Sequence, residues 1–559
     1  MKIKHLYTKQ GMSLNGEEYN VYPRPQLRRD SFFSLNGKWL LTYGEGEQAE
    51  ITVPYPPESI LSGVFKDMGK NPRLKYEKEF TLPKGFIKDR VILNFGAVDQ
   101  ICTVYINGNH VGKNTGGYNH FSFDITNYLK EENKLTVIVK DSLSKKVLPY
   151  GKQTLHRGGM WYTPISGIWQ SVWLESVPQK YIMSLKITTD KNSARIYFTG
   201  IEDGELTLYT PEKKLKFPID HGICQIYVEN PRMWSPSDPY LYNFTVKAGE
   251  DRIESYLAFR TLEIQIIDTY PRLLLNGKPF FFHGVLDQGY FSDGIFTPAS
   301  PDLYEEDILK MKELGFNTIR KHIKVEPDWF YYQCDRLGMI VFQDFVNNGS
   351  YSFMRDTALP TVLTKKFPEK LMARTALQKS AFVDGMKKTV KQLYNHPCVC
   401  YWTIFNEGWG QFDSDKMYEI LRGLDNTRFI DSTSGWFKKK QSDVESLHIY
   451  FKPVKFKESK KPIVLSEFGG YSYKVEGHVA NEKKTYGYKL YDDKEKFQKG
   501  LEHLYLEEVV PAIEKGLCAS IYTQLSDVED ETNGLLTYDR QECKVDKETM
   551  LQIAEKLKI

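Results

Sequence analysis

The chain has 559 residues, enough for roughly three domains. Hydrophobic and charged fractions of 41% and 26% are ordinary for a globular protein, and 75 Lys+Arg against 72 Asp+Glu leave a formal charge of +3. Such near-neutrality excludes the strong basic field of a nucleic-acid or membrane-surface binder, and no stretch of about 18 uncharged apolar residues exists to span a bilayer.

The opening residues, MKIKHLYTKQGMSLNGEEY, lack the apolar centre of a secretory signal, so a cytoplasmic protein is expected. From about 35 to 142, short alternating segments such as KWLLTY, YEKEFTL, VILNFGAV and LTVIV, separated by Gly, Asn, Pro and Lys, read as an all-β module. The NGN at 107–109, flanked by TVYI and VG, signals a hairpin because Asn and Gly accept the positive φ of a tight turn. The expectation is an N-terminal jelly-roll β-sandwich over 1–178, closed by the Gly- and aromatic-rich stretch 150–176. A second run of strands (LKITT, ARIYF, ELTLY, CQIYV, YLYNFTV, SYLAFR) fits an immunoglobulin-like β-sandwich over 179–264.

Beyond residue 264, strand-like runs alternate with amphipathic helical ones, which implies parallel βα units. Eight strand candidates can be counted: FFFHGVL at 280, FNTIRKH at 316, MIVFQD at 339, CYWTIFNE at 400, RFIDST at 428, SLHIY at 446, PIVLSE at 462 and ASIYTQL at 519. Eight closes a C-terminal (β/α)8 TIM barrel, taken as 265–559. Between them Phe382, Met386, Val390 and Leu393 recur at helical spacing, and that helix should end at Asn395-His396-Pro397, where proline cannot continue it. The connections after the fifth and sixth strands are too short for full helices. The seven cysteines are scattered without metal or disulfide spacing and are expected to be free thiols.

Barrel enzymes build their sites at the C-terminal ends of the strands. Glu407 ends the fourth strand in WTIFNEGWG and Glu467 ends the seventh in IVLSEFGG. One strand-end glutamate is most often held by an amide or a lysine. Two on facing strands, each followed by a Gly-rich turn, suit glycoside cleavage, whose retaining form needs carboxyls about 5 to 5.5 Å apart. Like charges at that separation raise the pKa of one partner. Other strand-end residues are chosen by position alone, as sugar contacts or as groups that orient them: Asp287 and Gln288, Asp344, Trp436, His448 and Tyr450, Gln524 and Asp527. Trp409 and Trp436 offer rings for the apolar face of a pyranose.

The stretches PRMWSPSDPYLY, YTPISGIWQSVWLE and NHPCVCYWTIFNEGW, in the order sandwich, sandwich, barrel, resemble glycoside hydrolase family 2, the group of β-galactosidases, β-glucuronidases and β-mannosidases. The resemblance covers nearly the whole chain. It implies a retaining, exo-acting β-glycoside hydrolase whose partner is a carbohydrate or glycoconjugate. A β-galactosidase type comes first, with β-glucuronidase or β-mannosidase as alternatives and an inactive carbohydrate-binding barrel as the reading of a different class. It further implies Glu407 as acid/base, Glu467 as nucleophile and Asn406 as the ligand of the sugar 2-hydroxyl, and it aligns Arg320 and His322 with polar site positions.

The sequence also departs from that pattern. β-Glucuronidases of the family carry Asn-x-Lys after the eighth strand, where this chain reads SDVEDETNGLLTYDR, so glucuronate is disfavoured unless a lysine from another loop substitutes. HGVLDQGYFSDG does not match the histidine-rich segment of the large metal-dependent β-galactosidases, so neither a metal nor another cofactor is expected. The tyrosine-rich loop after Glu467 should wall the pocket, and a homo-oligomer is compatible with all of this.

Overall fold

The computed structural model describes residues 4–14, 16, 18–358, 369, 374–437 and 439–559. The first module packs a six-stranded antiparallel sheet against a four-stranded one that includes Arg90–Phe95 and Val172–Val177. Period-2 alternation sends Trp39, Leu41, Leu93, Val104, Val137 and Leu174 into one buried core. The expected hairpin forms between Ile101–Ile106 and Asn109–Thr115, with φ of 52° at Asn107 and 82° at Gly108.

Seven antiparallel strands between Ser184–Thr189 and Asp251–Leu257 make the second module around Ile196, Leu206, Phe244 and Val246. Its PRMWSPSDPYLY stretch, residues 231–242, docks it on the barrel. Trp234 is fully buried and its indole Nε1 donates to the Asp335 carbonyl at 2.8 Å. Arg260 donates to the carbonyls of Pro397 and Val399 at 2.6 and 2.7 Å, at the root of the strand that carries Glu407.

An antiparallel hairpin, Leu262–Ile267 with Tyr270–Leu275, precedes the barrel where sequence reading placed the onset of βα units. Period-2 alternation does not distinguish such a hairpin from a barrel strand. Its Arg272 donates to the carbonyls of Leu517 and Ile513 at 3.0 and 2.9 Å, bracing the start of the last barrel strand.

All eight candidate runs form parallel strands: β1 (Phe282–Asp287), β2 (Thr318–Lys321), β3 (Ile340–Asp344), β4 (Val399–Asn406), β5 (Phe429–Ser434), β6 (Glu445–Ile449), β7 (Ile463–Gly469) and β8 (Leu517–Thr523). Seven pairings link them in the order β5-β4-β3-β2-β1-β8-β7-β6, and β5 meets β6 through the Ser434 and Ser446 hydroxyls, 3.3 Å apart. Burial is unbroken along seven of the strands, where helices cover the outside and side chains fill the inside, while β6 alternates between buried and half-buried residues. The helix Ala376–Leu393 opens with a capping box between Thr375 and Gln378 and buries Phe382, Met386, Val390 and Leu393. No described residue between β5 and β6, or between β6 and β7, is helical. The seven cysteines are free, and no described helix is long and apolar enough to cross a membrane.

Candidate active site

At the end of β4 the chain turns sharply. Glu407 adopts a left-handed φ of 51°, followed by Gly408 at 76°, and the Glu407 amide donates to the Ser434 carbonyl at 2.9 Å. A side chain there costs about 1–3 kcal/mol of strain, which is tolerated where its direction is what matters. On β6 an irregularity between Leu447 and His448 brings His448 beside Glu467 of β7.

The two glutamates converge. One carboxylate oxygen of Glu407, one of Glu467 and a ring nitrogen of His448 all lie within 4.8 Å of one another. His448 Nδ1 is 2.8 Å from Glu407 Oε1 and 3.5 Å from Glu467 Oε2, while Nε2 meets the Ser434 hydroxyl at 2.8 Å. Among the described residues this is the only cluster with the donor set and spacing to hold a metal ion. Here the histidine already bridges the two acids.

Glu467 is 4% exposed and served on both oxygens. Arg320 donates to Oε1 at 3.0 Å and the Tyr450 hydroxyl to Oε2 at 2.5 Å. Arg320 also grips Asp344 through two bonds of 3.0 Å, the Ser466 carbonyl at 3.0 Å and Asn406 Oδ1 at 2.9 Å. Burial alone would raise the Glu467 carboxyl, but His448, Arg320, His322 and the Tyr450 hydroxyl together hold it well below its ordinary value. His322 Nδ1 sits 2.7 Å from Asp344. Burial keeps this imidazole below its ordinary pKa and the Lys152 ammonium adds to that, against the Asp344 hydrogen bond.

The remaining expected residues divide by what holds them. Trp436 is half-buried, with its ring 5.6 Å from that of His448. Trp409 is 3% exposed, donates to the Gly349 carbonyl at 3.0 Å and packs edge-on to Trp161 and Tyr150, so most of its surface is taken by these neighbours. Asp287 is paired with Lys321 at 2.5 Å and accepts the Gly289 amide, and Gln288 beside it is buried. Gln524 donates to Asn533 at 2.9 Å, and Asp527 accepts from Lys544 at 2.6 Å and the Gly534 amide at 2.9 Å. Those contacts order the β8 loop. From the loop after β7, Tyr488 stacks on Tyr450 at 3.7 Å between centroids.

Sequence reading took the stretch 150–176 as a closure of the first sandwich and missed its second task. Part of it is a strap over the barrel mouth. The Tyr150 amide donates to the Asn347 carbonyl at 3.0 Å, the Thr163 amide to Glu529 at 2.8 Å, and the Tyr162 hydroxyl to Glu531. Lys152 and Trp161 lie between these anchors.

Three family models cover the chain: the family 2 sugar binding domain over 27–178, glycosyl hydrolases family 2 over 172–260, and the family 2 TIM barrel domain over 265–550. The chain belongs to glycoside hydrolase family 2. It is similar to a β-galactosidase of Thermoanaerobacter pseudethanolicus, 25% identical over 426 residues that make up 70% of this chain and 53% of that one. This family 2 chain thus spans about half the length of that curated relative. Among solved structures it resembles a β-D-glucuronidase from Dictyoglomus thermophilum at 19% identity and TM-score 0.74, covering 96% of this chain and 98% of that one. It also resembles a β-galacturonidase from Eisenbergiella tayi bound to galacturonate, at 19% identity and TM-score 0.68 over 96% and 98%. At these identities the solved structures speak for the fold alone.

Proposed function

We propose that this family 2 protein is a retaining β-glycoside hydrolase that removes one terminal sugar by double displacement. The observation that carries the proposal is the approach of Glu407 and Glu467 to within 4.8 Å, with His448 between them. Retention needs carboxyls about 5 to 5.5 Å apart, whereas inversion needs about 6.5 to 9.5 Å to admit a water. Glu467, held ionised, attacks the anomeric carbon while Glu407 protonates the departing oxygen, so the glycosidic electron pair leaves with the aglycone. Glu407 then takes a proton from water, whose oxygen displaces Glu467. Asn406, its Oδ1 fixed by Arg320, keeps its amide NH2 for the sugar 2-hydroxyl. The strap over the barrel mouth and the Tyr450–Tyr488 stack support an exo-acting reading in which one terminal sugar is admitted. The β-galactosidase relative favours a neutral hexose, and Lys152 favours a second reading, a uronide.

Glu407→Ala is expected to lower kcat by about 10²- to 10⁴-fold on substrates with poor leaving groups. Azide should restore turnover of nitrophenyl glycosides and yield the β-glycosyl azide. No response to azide would remove Glu407 from the acid/base role.

The acid limb of kcat/KM reports protonation of the nucleophile. With the Glu467 carboxyl held well below its ordinary value of 4.5, activity should persist as pH falls through 4.5 and fail only in stronger acid. Replacing Tyr450 by Phe removes one of the groups that lower it and should move that limb upward. A limb unmoved by the substitution would contradict the assignment.

A further inference from the structure

Building on the hydrolase reading above, we propose that Lys152 is the specificity cation of the pocket and that the terminal sugar carries a carboxylate, as a hexuronate does. Lys152 is 8% exposed, yet its ammonium makes no hydrogen bond or ion pair with any described residue and only lies 5.4 Å from the centre of the Trp161 ring. Its charge is felt by His322 at the end of β2 and by Glu531 in the β8 loop, and Glu531 in turn feels Glu467. Trp161, on which the ammonium rests, packs edge-on to Trp409 two residues beyond Glu407 at 4.9 Å between centroids, and the neighbouring Tyr162 bonds Glu531 of the β8 loop, so the ammonium stands at the mouth of the barrel beside the two glutamates.

A largely enclosed lysine whose ammonium has no anionic partner is costly, and the nearby acids do not supply one. Glu531 is occupied by the Tyr162 hydroxyl and by Asn533 at 3.1 Å, Glu529 by the Thr163 amide and Arg157, and Asp344 by Arg320 and His322. The missing acceptor is supplied by the ligand. A carboxylate answers both charge and donors better than a hydroxyl, and a site built around ionised Glu467 needs a cation to admit an anionic sugar.

The position is rigid enough to be selective. Lys152 accepts the Tyr162 amide at 3.1 Å through its own carbonyl, and Tyr150 and Gly151 on one side are bonded to Asn347 of the β3 loop. The cation thus arrives from the first sandwich. That is why the absence of lysine from the segment after β8 does not by itself exclude a uronide.

The test compares 4-nitrophenyl β-D-glucuronide and β-D-galacturonide with the matching β-D-glucoside and β-D-galactoside, for the wild type, Lys152→Met and Lys152→Arg. The wild type should prefer a uronide. Lys152→Met should lose roughly 100-fold in kcat/KM on it, the loss expected for one charge-assisted contact, with less than about 3-fold change on neutral sugars. Lys152→Arg should recover part of that loss. Calorimetry with free glucuronate and galacturonate gives an activity-independent reading, in which Lys152→Met should abolish binding that the wild type has. Cleavage of neutral glycosides in preference to uronides, equal losses on both classes, or no uronate binding would overturn the role of Lys152 while leaving the hydrolase reading intact. If uronates bind through Lys152 but no β-glycoside is cleaved, the hydrolase reading fails instead.

Discussion

Glu467→Gln is expected to lower kcat/KM by about 10⁴-fold or more on every β-glycoside the wild type cleaves, because an amide cannot form the covalent glycosyl bond. Arg320, His322, His448 and Tyr450 all converge on this one carboxylate, and the substitution keeps its shape while deleting its charge. The variant should remain folded, with an unchanged far-UV spectrum. A 2-deoxy-2-fluoro glycosyl donor should label the wild type once, on the peptide that contains Glu467, and should not label the variant. Turnover within 10-fold of wild type, or a label on Glu407, would refute the role.

The second large effect is on stability. Arg320 is 1% exposed and its guanidinium bonds to Asp344, Glu467, Asn406 and the Ser466 carbonyl, so Arg320→Met leaves two carboxylates buried without their cation. Breaking a buried pair from one side costs about 3–5 kcal/mol, which lowers Tm by roughly 10 °C for a domain of this size. The pH dependence has a definite sign. Asp344 and Glu467 both have folded pKa values held below their ordinary 3.8 and 4.5, and although burial opposes this, Arg320 is among the groups that overcome it. Groups lowered in this way contribute stability that is present above those ordinary values and lost as pH falls through the folded ones. The gap between wild type and Arg320→Met should therefore be widest near pH 7 and shrink below about pH 4. Calorimetric melts at both pH values measure it, and a gap independent of pH would contradict the electrostatic role.

The architecture was legible because its signals are local and repeated. Alternation marks the strands of the sandwiches, strand-like runs alternating with helical ones mark β1 to β8, and the helix over Ala376–Leu393 carries its apolar spacing and its terminator in sequence. Glu407 and Glu467 could be read from their strand-end positions, since a closed barrel brings such ends together. Lys152, Trp161 and Tyr162 could not. They sit in a stretch whose Gly and aromatic content fits the closing strand of a sandwich equally well, and only the three-dimensional docking of that strap against Asn347, Glu529 and Glu531 turns it toward the barrel mouth. The packing of Trp409 against Trp161 is hidden for the same reason. The hairpin over 262–275 escaped because period-2 alternation carries no information on whether the partner strand is antiparallel or lies across a helix.

The meeting of Glu407 and Glu467 is tested most directly by the stereochemistry of the first product. Proton NMR taken in the first minutes of hydrolysis of a nitrophenyl β-glycoside, before mutarotation, should show the β anomer appearing first. The α anomer appearing first would mean a single inverting displacement and would contradict the double displacement assigned to these two carboxylates.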